Sequence, residues 1–198
     1  MIELVLVFFL FASGSEALAS SLLLLEDTAV RFEDAVKPLV PQNELTVVFD
    51  SEDPKVNAEL TKVANELTIR VWGGMLRHRL MTEETLLLLL CHEIGHYLGG
   101  PPTKARGGWS STEGQADYFA GLHCARSVGL DEVSFYDSAL DLSRIYAGVT
   151  FSPEPQLECS DPTVVSRTNF GYPSVQCRLD SMLAGWKGLP RPQCWFSP

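Results

Sequence analysis

Five consecutive leucines, Leu86 to Leu90, run straight into Cys91-His92-Glu93-Ile94-Gly95-His96, and no other stretch constrains the chain as much. A helix that is apolar on every side must be buried. Thr82 ahead of it is a good N-cap. Gly99-Gly100-Pro101-Pro102 behind it cannot continue a helix. The spacing therefore predicts a central core helix from Thr82 to about Leu98. His92 and His96 stand four apart, which places them about 40° apart around a helix, so both imidazoles project from one face. Two such nitrogens can bind one Zn²⁺ at roughly 2.1 Å. Glu93, next to the first histidine, is placed to reach a water at that ion as a general base. The bland alternative is two surface histidines around an ordinary glutamate. It does not sit with the leucine run.

A third ligand has to come from elsewhere. In the extended pattern H-E-x-x-H-x-x-G-x-x-H, Gly99 matches the glycine but the last histidine falls on Pro102, which has no ligating side chain. The remaining route is a carboxylate from a following helix. Ser111-Thr112-Glu113-Gly114-Gln115-Ala116-Asp117 places Glu113 and Asp117 four apart on one helical face. Glu113 would complete a His₂Glu set with an open fourth position. Asp117 would accept the far N–H of a ligating histidine. Ser110 and Glu113 also fit a capping box, in which Glu113 only serves its own helix. That reading leaves Asp117 unexplained, and also the small residues Gly114, Ala116, Ala120 and Gly121.

Around this core the 198 residues read as one domain over 20–198. Residues 20–37 are expected as a helix, Leu45–Phe49 and Leu67–Trp72 as strands, and Gly73-Gly74 as a bend. Helices are expected over 111–128, 131–147 and Val175–Trp186. Residues 151–198 hold 7 of the 12 prolines, so this tail is expected to be mostly irregular and tethered by a disulfide. The formal charge of -10 argues against a nucleic-acid partner, which needs a clustered positive field. Residues 1–19 read as a signal peptide, an apolar run ending in Ala17-Leu18-Ala19. It is too short for a comfortable membrane span, and no second long apolar segment follows, so no integral membrane segment is expected in the mature chain. A secreted or periplasmic protein with disulfides follows. Of the five cysteines, Cys177 and Cys194 are expected to pair, Cys124 with Cys159 is a weaker pairing, and Cys91 is expected to remain a packed thiol.

His-Glu-Ile-Gly-His followed by Ser-Thr-Glu-Gly-Gln-Ala-Asp-Tyr-Phe-Ala resembles the gluzincin metallopeptidases, and most of all the family of the CAAX prenyl endopeptidases and the HtpX heat-shock protease. The resemblance covers residues 82–128. It implies a zincin-like α+β fold, a small antiparallel or mixed sheet with an edge strand packed on the H-E-x-x-H helix and a second, Glu-bearing helix. It also implies one Zn²⁺ per chain and hydrolysis of a peptide or protein substrate, here among secreted or envelope proteins. In that reading His92, His96 and Glu113 hold the metal and Glu93 is the base. A non-catalytic, zinc-stabilised binding module is the competing expectation. A second donor should steady the oxyanion. His78 is the first choice, because it follows the strand taken as the sheet edge. Tyr97, Tyr118, His123 and Tyr172 are the others. Trp109 and Gly107-Gly108 read either as a mobile lip over the cleft or, the preferred expectation, as a flexible surface loop in which Lys104 and Arg106 are solvated charges.

Overall fold

The computed structural model describes residues 24–198, so the leader expected over 1–19 and the start of the first expected helix lie outside the described residues. Helix α1 covers residues 24–36 and tightens into a 3₁₀ turn at Lys37–Leu39, where Pro38 ends it.

Three strands follow: β1 (Glu44–Asp50), β2 (Ala58–Val63) and β3 (Glu66–Trp72). Their order is β1-β3-β2. β1 runs parallel to β3 with Leu45 opposite Leu67, and β2 runs antiparallel to it with Leu60 opposite Ile69. The fold is therefore α+β with a small mixed sheet. Leu67, Ile69 and Val71 of β3 are fully buried, the alternation that the sequence shows. Its position is nevertheless different from the one expected. β3 is the central strand, and the edges are β1 and β2, the latter a strand for which no element was foreseen. The hairpin between them turns on Ala64-Asn65, with Ala64 at φ 51°. Two-residue hairpins of this kind are usually marked by Asn-Gly or Asp-Gly, and that mark is missing here.

Gly73–Leu76 forms a single helical turn, α2, and the chain then enters α3 (Glu83–Leu98). The Thr82 hydroxyl accepts from the Thr85 N–H at 3.1 Å, and every residue from Thr85 to His96 is buried. The next rod opens at Glu113. It runs as α4 (Glu113–Phe119), widens into a π-turn over Ala120–Cys124 and closes as α5 (Ala125–Ser127). Thr112 is its N-cap residue and makes no side-chain capping bond, so the capping box read from Ser110 and Glu113 is not formed. α6 (Glu132–Thr150) is capped by Asp131, whose carboxylate accepts from the Ser134 N–H at 2.8 Å. After an irregular stretch, α7 (Val175–Trp186) is capped by Ser174.

α3 packs against α4, α6 and the sheet, while α7 packs against α4 and α6. Two close approaches set this arrangement. A Cβ on Gly95 would meet the Ala116 carbonyl at 2.8 Å, so α3 and α4 touch backbone to backbone beside both histidines. Gly121 faces the Met182 backbone and Gly185 the Tyr118 backbone in the same way.

Two disulfides fasten these helices. Cys177–Cys194 ties the tail to α7, as the sequence suggested, and lays Trp195 over Gly114. The second bond joins Cys91 to Cys124, so Cys91 is not a packed thiol and Cys124 does not pair with Cys159. The π-turn carries Cys124 back against α3, whereas Cys159 is exposed and free. Among the described residues no helix is long and apolar enough to cross a membrane.

Candidate metal centre

His92 and His96 leave the same face of α3 and meet edge to face, with ring centroids 4.8 Å apart. Because Gly95 lets α4 approach, the first residue of that helix, Glu113, lands between them. Its Oε2 lies 3.4 Å from His92 Nε2 and its Oε1 lies 3.6 Å from His96 Nε2. One ligating atom from each of the three residues fits within 4.8 Å of the others, and all three side chains are buried.

The far side of each ring is already committed. His92 Nδ1 is 2.7 Å from Asp117 Oδ1, and His96 Nδ1 is 2.9 Å from the Ser111 carbonyl. In the neutral form of each ring, with the proton held at Nδ1, the Nε2 lone pair is left on the side of the Glu113 carboxylate. Two imidazole nitrogens and one carboxylate oxygen, oriented in this way, form a donor set that could hold a metal ion.

Two cations that the sequence reading did not place here complete the surroundings. Arg178 of α7 donates from Nε to Asp117 Oδ2 at 2.8 Å and from a terminal nitrogen to Asp117 Oδ1 at 3.0 Å. The same terminal nitrogen lies 3.5 Å from Glu113 Oε2, and the guanidinium stacks on Tyr146 at 4.0 Å from the ring centroid. Lys104 Nζ donates to Glu113 Oε1 at 2.7 Å. Lys104 was expected to be a solvated charge. It reaches inward because its loop folds back on itself. The Lys104 N–H donates to the Ser110 carbonyl at 2.7 Å, and the Ser111 N–H donates to the His96 carbonyl at 2.7 Å.

Burial and these charges move the ionisations apart. Burial pushes Glu93 up to about 7, although the neighbouring His92 pulls the other way. Burial alone would lower His92, but the Asp117 carboxylate overrides it and holds the ring at about 9. His96 falls to about 4 through burial and the nearby His92 charge. Glu113 and Asp117 are both held below the usual carboxylate range. Burial opposes this, but His92 and Arg178 outweigh it.

These groups open on a cleft of about 480 Å³. The segment Val56–Leu60, which includes the start of the edge strand β2, lines it together with Val149, Thr150 and Tyr172. Glu93 faces the cleft beside the two histidines. His78 does not. It sits beyond α2, where its Nδ1 accepts from the Leu80 N–H at 3.3 Å, because the strand before it is central and not at the edge. Tyr97 donates to Asn43, Tyr118 donates to the Leu189 carbonyl, and His123 packs on Phe119, all away from the cleft. Of the second donors weighed from sequence, only Tyr172 lines it. Trp109 packs near Tyr97 and takes no part.

A charged residue inside the otherwise apolar pattern Val175, Cys177, Leu179, Met182 was the one available signal for Arg178. Nothing local pointed to Lys104. Comparison with family models, with curated proteins and with solved structures finds no match to this chain.

Proposed function

We propose that this chain is a secreted or periplasmic zinc endopeptidase of the gluzincin type, cleaving extended segments of peptide or protein substrates. The observation that carries the reading is the convergence of His92, His96 and Glu113 next to a buried Glu93, in a cleft bordered by an unpaired sheet edge. Zinc suits the donor set, and once bound it would lower the pKa of a water and polarise the scissile carbonyl.

The chain's own residues account for the rest of the reaction. The edge of β2 offers backbone N–H and C=O groups to an extended substrate, which would lie as an added strand across the cleft. Glu93 takes a proton from the attacking water and returns it to the leaving amine. Its shift to about 7 suits a base that works near neutral pH. Tyr172 and Tyr146 bring hydroxyls to the cleft, and burial keeps the Tyr146 hydroxyl protonated. Arg178 binds Asp117, and Asp117 in turn fixes the His92 ring. The two disulfides are the chemistry of an oxidising compartment, which supports the localisation.

The test is cleavage of reduced, carboxymethylated casein by zinc-loaded protein. Glu93→Gln is expected to keep one zinc per chain and to lose at least about a hundredfold in rate. If the wild-type chain binds zinc and cleaves neither casein nor a mixed peptide library, the peptidase reading gives way to a metal-stabilised binding module.

A further inference from the structure

The two oxygens of Glu113 have different neighbours. Oε1 accepts from Lys104 at 2.7 Å and lies 3.6 Å from His96 Nε2, while Oε2 lies 3.4 Å from His92 Nε2 and 3.5 Å from Arg178, so both oxygens face a ring nitrogen and only Oε1 carries a close cation. A carboxylate can hold a metal through one oxygen or through both. If both bind, a His₂Glu site that also holds a water would be five-coordinate, and the water would share the ion with one more anionic oxygen.

Resting on the zinc reading above, we propose that Lys104 is a positioning residue that holds Oε1 of Glu113, so that the carboxylate would ligate through Oε2 alone and the ion with its water would stay four-coordinate. The loop is built for this. Thr103 bridges to Ser111, and the Lys104 N–H is fixed to the Ser110 carbonyl at 2.7 Å. The same loop orients the second histidine, since the Ser111 carbonyl stands 2.9 Å from His96 Nδ1. One short hairpin thus sets the ring of His96 and the denticity of Glu113. Its cation is supplied from the solvent side, since the Lys104 side chain is 40% exposed. An ammonium on so short a contact carries a charge-assisted hydrogen bond, which is about twice as strong as a neutral one.

Cobalt(II) reports coordination number directly, because four-coordinate sites absorb visible light several times more strongly than five-coordinate ones. Full-length oxidised protein would be loaded with cobalt, and the visible spectrum and cobalt stoichiometry measured for wild type, Lys104→Met and Lys104→Arg. We expect one cobalt in each, a band severalfold weaker in Lys104→Met and a restored band in Lys104→Arg. The casein rate of the zinc form is expected to fall about 10- to 100-fold in Lys104→Met and to recover in Lys104→Arg. An unchanged spectrum in Lys104→Met overturns the assignment and leaves the peptidase reading standing. So does loss of cobalt from a Lys104→Met chain that keeps its helical circular dichroism, which would mean that Lys104 retains the ligand and does not select its oxygen. A wild-type chain that takes up no metal overturns both.

Discussion

A carboxylate in water titrates near 4.5, and taking Glu93 out of water moves it to about 7. Burial lowers both histidines, yet their net shifts are opposite because only His92 has the Asp117 carboxylate against it. Asp117 holds His92 at about 9, above its ordinary 6.5. Pairing of the imidazolium with Asp117 therefore stabilises the metal-free fold fully below about 6.5 and ceases to do so as the pH rises through about 9. A metal needs the neutral ring and must displace that proton, so zinc affinity should climb about tenfold per pH unit up to about 9 and then level off. Chelator competition across that window measures the slope, and a flat profile would remove His92 from the ligand set. Asp117→Asn should cost roughly 10- to 100-fold in zinc affinity. His92, His96, Glu113 and Asp117 were legible from sequence because helical spacing alone places them on shared faces. Lys104 and Arg178 were not. A side chain's charge does not say where its loop folds, and Arg178 lies 61 residues beyond the carboxylate that it grips.

Among the elements, α3 and α7 match expectation because their capping residues, Thr82 and Ser174, and the glycines that follow α3 are local signals. β2 failed for the opposite reason. Its turn places a positive φ on Ala64, a residue that carries no turn signal, and its outward side chains alternate Glu59, Thr61 and Val63 without a clean apolar face. The cleft wall depends on this strand, so the position of the sheet edge could not be read from the sequence. The meeting of α3 and α4 was partly legible in their small residues, and it gives a sharp test. On an open helix Gly→Ala gains up to about 1 kcal/mol. At Gly95 the new Cβ would face the Ala116 carbonyl at 2.8 Å, so the helices must separate. Gly95→Ala should instead lose about 1–3 kcal/mol and weaken zinc binding with it. Denaturant midpoints with and without zinc would show both effects, and a stabilised variant would mean that the contact is not rigid.

Across the whole molecule, two consecutive helices, α3 and α4, and the distant α7 build the centre, and disulfides fasten α3 to the π-turn after α4 and α7 to the tail. Cys177–Cys194 closes a span of 17 residues and holds Trp195 on Gly114, next to Glu113 of the candidate centre. Cys194→Ser should therefore lose about 3 kcal/mol of stability, readable as a lower thermal midpoint that matches the mildly reduced wild-type protein. Each bond also adjoins a residue of the centre, since Cys91 precedes His92 and Cys177 precedes Arg178. For the metallopeptidase proposed above, thiol oxidation and metal uptake would be successive stages of maturation. On the proposal of an exported peptidase, a nascent copy still in a reducing compartment would lack these clamps, so that activity would awaken only after export and the producing cell would be spared it.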